Sequence, residues 1–162
     1  MSDSGLYQAI SSYMDEAERH FQSEGDAENG LIVAEILGDD GNWRVFIQIT
    51  DDDETRLVAI HAQLPARIPE CNRLKVAELL TRINYDLMVG NFELNLGDGA
   101  VLFKTTLDLA DGQLTQVMFE RMYEMNGQAM NLYYAKILSV GYGNTEQVEV
   151  TAEPRPDGVM LQ

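Results

Sequence analysis

Residues 91–109 read NFELNLGDGAVLFKTTLDL. Phe92, Leu94 and Leu96 alternate with Asn91, Glu93 and Asn95, Gly97-Asp98-Gly99 supplies turn chemistry, and Val101, Phe103, Thr105 and Leu107 alternate back. Two runs of period two around a Gly-Asp-Gly turn predict an antiparallel hairpin with one apolar face. Just upstream, Leu74, Val76, Ala77, Leu79, Leu80, Ile83 and Leu87 fit a helix from about Asn72 to Met88, approached through Pro65 and Pro69. Downstream, Leu114, Met118, Met122, Met125, Ala129, Tyr133 and Ile137 trace a third helix from about Gln113 to Val140. Further upstream, Leu31 to Leu37, Trp43 to Thr50 and Arg56 to Leu64 are short, β-branched and aromatic, and are joined by Gly38-Asp39-Asp40-Gly41-Asn42 and Asp51-Asp52-Asp53-Glu54. Links this short join antiparallel neighbours, because a parallel crossover needs a dozen or more residues. A first helix spans about Ser4 to Ser23, with Leu6, Ile10, Tyr13, Met14, Ala17 and Phe21 on one stripe. The order helix, three strands, helix, two strands, helix predicts an α+β domain: an antiparallel five-stranded sheet with the helices mainly on one face.

The chain has 162 residues and a hydrophobic content of 45%, which suits one globular domain. We expect that domain over residues 1–144, followed by an acidic, proline-bearing, loosely held tail over residues 145–162 that includes Pro154 and Pro156. With 27 acidic residues against 11 basic ones the net charge is −16, which disfavours nucleic acid and anionic membrane as partners. The charge is uneven: residues 1–54 carry 14 acids and 2 bases, residues 55–144 carry 9 acids and 8 bases, and residues 145–162 carry 4 acids and 1 base. Cys71 is the single cysteine, so no internal disulfide forms and no zinc spacing is present. The start of the chain lacks a basic leader with an apolar run, and no stretch reaches the ~20 apolar residues that cross a bilayer. These features predict a cytoplasmic protein.

The order of elements, together with Leu79–Leu109, LLTRINYDLMVGNFELNLGDGAVLFKTTLDL, resembles the YbjN-type domain family. The resemblance covers about residues 6 to 142, with Asn84 late in the second helix, Gly90, Phe92 and Leu94 opening a strand, and Asp98-Gly99 at the hairpin turn. It implies a fold shared with the chaperones of type III secretion systems. Those proteins are small, acidic, dimeric and non-enzymatic, and hold extended segments of client proteins. The resemblance brings no catalytic residue with it.

The residues support the same class. His61 and Cys71 are a nucleophile hunter's first pair, yet nothing in the sequence brings them together. The run Asp51 to Glu54 lacks the alternating spacing of a calcium loop and reads as a solvated turn. Gly97-Asp98-Gly99 and Gly141-Tyr142-Gly143 lack the strand-to-helix context of a phosphate cradle. No catalytic residue, metal site or cofactor is predicted. Met118, Met122 and Met125 read as core at helical spacing, whereas Met130, with Leu132 and Tyr134, falls off the stripe and reads as surface. Helices cover one sheet face, so Phe46, Leu57 and Leu102, on the opposite parity, become candidates with Met130 for a partner-binding patch. The second helix and its approach carry Arg67, Arg73, Lys75 and Arg82 against Glu70 and Glu78. Arg73, Lys75 and Arg82 are therefore candidates for a homodimer contact with the acidic first third of another copy. The expected function is non-enzymatic binding of a partner protein. The alternative is a regulatory module sensing a small ligand or divalent metal.

Overall fold

The computed structural model describes residues 5–25 and 29–143. The expected tail, 145–162, lies outside the described residues. The elements run α1 (Leu6–Glu16), β1 (Phe21–Gly25), β2 (Asn29–Leu37), β3 (Asn42–Asp51), β4 (Arg56–Gln63), α2 (Arg73–Asp86), β5 (Asn91–Leu94), β6 (Val101–Asp108) and α3 (Gln116–Tyr142), with a 3-10 turn, Glu70–Asn72, leading into α2. The fold is α+β, with helices mainly on one face of a fully antiparallel sheet of order β1-β2-β3-β4-β6-β5. The sheet therefore has six strands, one more than expected.

The extra strand comes from the end of the expected first helix. Glu18 takes a left-handed backbone, φ 53°. Its N–H donates to Asp15 O (2.9 Å), and the Arg19 N–H donates to Met14 O (3.0 Å). This paired closure, the Schellman arrangement, satisfies the last helical carbonyls and turns the chain out. Phe21, the last member of the apolar stripe, then reaches the core from a strand, opposite Ala34.

One sheet face is closed. Ile32 and Ala34 of β2, Trp43, Val45, Ile47 and Ile49 of β3, Val58, Ile60 and Ala62 of β4, and Val101 and Phe103 of β6 are all buried. Alternation sends these residues to the helix side, where burying each large side chain contributes on the order of 2 kcal/mol. The start of α1 is held by the β3–β4 link: Asp51 accepts from the Leu6 N–H (2.8 Å) and from Arg56 Nε (2.9 Å). A carboxylate at that position meets the positive end of the helix. Asp52 accepts from the Glu54 and Thr55 N–H groups (2.9 and 2.7 Å), so the acidic run is built around a local side-chain turn.

The β5–β6 hairpin forms where its sequence predicts, but β5 ends at Leu94 and Leu96 is exposed in the turn rather than on the strand's apolar face. Gly99 has φ +79°, and a Cβ there would meet Ile68 O at 2.1 Å, so only glycine fits. Helix α3 is one unbroken element of 27 residues through Gly127, where a Cβ would find only ordinary contact with Ile36. Its buried stripe keeps Met122, Ala129 and Ile137 of the expected one and departs from it at Met118 and Met130. Thr115 caps it, accepting from the Met118 N–H (3.2 Å), so Leu114 stands before the helix and cannot set its stripe. The buried stripe is Phe119, Met122, Tyr123, Asn126, Ala129, Met130, Ile137 and Val140. Two readings are thereby corrected: Met118 is exposed, and Met130 is 0% exposed. Within α3, Asn126 Nδ2 donates to Thr105 Oγ1 on β6 (2.6 Å) and to Met122 O (3.0 Å), fastening helix to sheet through a fully buried amide.

Candidate functional site

Among the described residues, no helix layer covers the second sheet face. Strand register orders its side chains into cross-strand rows. The central row runs Gln22, Val33, Phe46, His61, Lys104 and Asn91; beside it on one side lie Glu24, Leu31, Gln48, Ala59 and Thr106, and on the other Glu35, Arg44, Gln63, Leu102 and Glu93. Thr50, Leu57 and Asp108 make a further row towards one rim. Leu31, Val33, Phe46 and Leu57 are half-buried and Ala59 is buried, so an apolar strip crosses the middle of the face between Glu24, Glu35 and Arg44 on one side and Lys104, Glu93 and Asp108 on the other.

Of the expected patch residues, Phe46, Leu57 and Leu102 lie on this face and Met130 does not. Phe46 sits near its centre, Leu57 towards one rim and Leu102 towards the other, each half-buried. Leu31 and Val33 complete the strip between β1 and β3. The alternation of β2, in which Ile32, Ala34 and Ile36 take the helix side, already carried that signal.

His61 stands beside Phe46 and Lys104 in the central row. Its Nε2 is shielded from solvent and has no hydrogen-bond partner among the described residues. Burial, reinforced by the Lys104 charge and opposed by that of Glu93, holds the imidazole below its ordinary pKa. Burial pushes Glu93 the other way, but an ion pair and hydrogen bond from Lys104, a hydrogen bond from Asn91 (3.2 Å) and the nearby Lys104 and His61 charges keep its carboxyl below the usual carboxylate range. The middle of the face thus keeps a neutral histidine beside a matched ion pair, a surface that sheds water at low electrostatic cost.

The basic residues of α2 fare differently from one another. Arg73 is spent within the molecule, Nε donating to Ile68 O (3.1 Å) and Nη1 to Leu96 O (2.8 Å) and Gly97 O (3.1 Å), which ties the hairpin turn to the helix. Arg67 pairs with Asp98. Lys75 and Arg82 are exposed, and Arg82 forms an i,i+4 pair with Glu78 (2.7 Å). Cys71 is exposed in the 3-10 turn, in a different element from His61. Among the described residues no three His, Cys, Asp or Glu side chains converge into a metal-binding group, and no helix is long and apolar enough to cross a membrane.

Comparison with known proteins bears on the whole of this architecture. A crystal structure of YbjN from E. coli, described as "a putative transcription regulator", has a TM-score of 0.56 at 15% identity, covering 78% of this chain and 89% of that one; at that identity it shows the fold alone. A search of curated proteins finds no match. The YbjN family model, described as "Putative bacterial sensory transduction regulator", matches residues 7–139. On that match, over most of the chain and all of the helix-covered sheet, this protein belongs to the YbjN family.

Proposed function

We propose that the protein is a non-enzymatic regulator that works by binding another protein, and that the open face of the sheet is its contact surface. One observation carries the reading: a half-buried apolar strip, Leu31, Val33, Phe46 and Leu57, lies on the one sheet face that the helices leave uncovered. Such a strip inside a polar rim has the anatomy of a protein interface. The family description, a sensory transduction regulator, supports a role exercised through partners. In this proposal the partner is held in extended form, as secretion chaperones hold their clients, and the acidic surface selects against wrong partners. A homodimer belongs to the same proposal, with Lys75 and Arg82 of one copy set against the acidic first third of another.

Affinity capture from a lysate of the cells that make the protein, with light scattering on the eluate, tests this. The natural chain is expected to bring down a stoichiometric partner, and a Phe46→Asp, Leu57→Asp double variant to lose it while keeping its circular dichroism spectrum. Retention of the partner by the folded double variant would remove the open face from the proposal.

A further inference from the structure

The sheet ends in two edges, β1 and β5, and they are finished differently. In an antiparallel ladder, opposed residues alternately exchange both backbone bonds and none, so a bond at the end of a ladder fixes the phase of the rest. The Asn95 N–H donates to Ala100 O (2.8 Å); counting back in twos, Glu93 bonds to β6 and Phe92 turns its N–H and C=O outward. There Asn84 meets both: its Oδ1 accepts from the Phe92 N–H (2.7 Å) and its Nδ2 donates to Phe92 O (2.9 Å). The side-chain amide takes the place of a neighbouring strand and closes that edge. At the other end, the Gly38 N–H donates to Gly41 O (2.9 Å). The same count directs Leu31 and Val33 to Glu24 and Gln22 of β1 and leaves the backbone of Phe21 and Ser23 facing away from the sheet. No described strand lies beyond them.

Edge strands are commonly defended by lysine or proline, and β1, Phe-Gln-Ser-Glu-Gly, has neither. Its surroundings are acidic. Asp15, Glu16, Glu18 and Glu24 are exposed, the guanidinium of Arg19 is held by Glu120 (2.9 Å) over the ring of Tyr123, and Arg44 lies two strands in from β1, opposite Glu35. An open depression of about 490 Å³, lined by Asp15, Glu18, Arg19 and His20, adjoins the start of the strand.

Resting on the reading of the protein as a holder of extended polypeptide, we propose that the outer edge of β1 accepts an added strand from a lysine- or arginine-bearing segment of another protein. Backbone bonds to Phe21 and Ser23 supply the pairing. Residues of the added strand opposite Gln22 and Glu24 lie on the open face and are basic; those opposite Phe21 and Ser23 lie on the helix side and are small or apolar. The chain's own residues 145–162 carry 4 acids and 1 base, the same sign as the edge.

The probe is an acetylated heptapeptide alternating lysine with valine or threonine, read by fluorescence anisotropy and by amide exchange on the full chain. We expect saturable binding with new exchange protection at Phe21 and Ser23, at least tenfold weaker binding to Ser23→Pro and to Glu24→Lys, and none of the glutamate counterpart. Ser23→Pro removes an outward N–H and no bond to β2, so the fold should survive; should it not, the same peptide N-methylated at alternate residues asks the same question of the natural chain. No saturable binding, or equal binding of the N-methylated peptide or by folded Ser23→Pro, would overturn the edge. Binding lost in Phe46→Asp, Leu57→Asp but kept in Ser23→Pro would move the peptide to the open face, ending this inference and leaving the proposed function standing.

Discussion

Glu18 holds a backbone conformation, φ 53°, that costs a non-glycine residue about 1–2 kcal/mol. Because it occupies the position where helices most often end on glycine, Glu18→Gly should raise stability by about 0.5–1 kcal/mol in urea unfolding; a loss would mean the Glu18 side chain contributes more than the turn costs. That position hid β1 from the sequence: with no glycine between Gly5 and Gly25, the stripe ran on to Phe21 as though helical. His61 is a second residue whose behaviour the sequence does not carry, since its neighbours come from β3, β5 and β6. Burial first, and then Lys104, favours the neutral imidazole in the folded chain. The unfolded chain therefore binds more protons as pH falls through the ordinary histidine value, and stability drops there. Glu93 adds stability that is lost at lower pH, as its depressed carboxyl protonates. With Lys104→Met, NMR titration should show the pKa of His61 and that of Glu93 both rising, Arg44 being the remaining cation diagonal to His61 across the Phe46 pair. An unmoved His61 would show that Lys104 is not a cause.

At the scale of elements, α2 and most strands were legible, while β1 was not. Period-two alternation placed β2, β3, β4 and β6 to within about two residues, because each has one closed face. The hairpin turn was legible from its Gly97-Asp98-Gly99 chemistry between two alternating runs, whereas the contact with Ile68 that confines Gly99 is tertiary. In α3 the expected Met122, Ala129 and Ile137 are buried, but Leu114 stands before the Thr115 cap, Met118 is exposed and Met130 is buried. Asn84 was visible as a motif position, but its partner lies across a loop, on β5. Asn84→Ala strips both hydrogen bonds from Phe92 and should cost about 2 kcal/mol in denaturant unfolding. It should also open the β5 edge to self-association, seen as a mass increase in sedimentation; a monomer of undiminished stability would show that the amide does not guard the edge.

At the scale of the whole molecule, among the described residues, three helices close one face of a six-stranded sheet and leave the other uncovered. Sequence alternation alone indicated that division, since Phe46, Leu57 and Leu102 fell on the opposite parity from the core. What it could not show is how the face is organised, because neighbours across strands come from register: Val33 beside Phe46, His61 between Phe46 and Lys104, and Leu102 beyond Gln63. The uneven charge likewise acquires meaning only in the fold, where the acidic first third contains the uncapped edge and the basic residues of α2 are divided between internal ties and exposed positions. Membership of the YbjN family sets a regulatory context, and the open face is where that role is proposed to act. The most direct measurement is site-specific photo-crosslinking in the native cell, with benzoylphenylalanine replacing Phe46 on the open face or Val117, exposed on α3. A discrete crosslinked partner from position 46 and none from position 117 is the expected result; a partner caught only from position 117, or equally from both, would contradict a binding role for the open face.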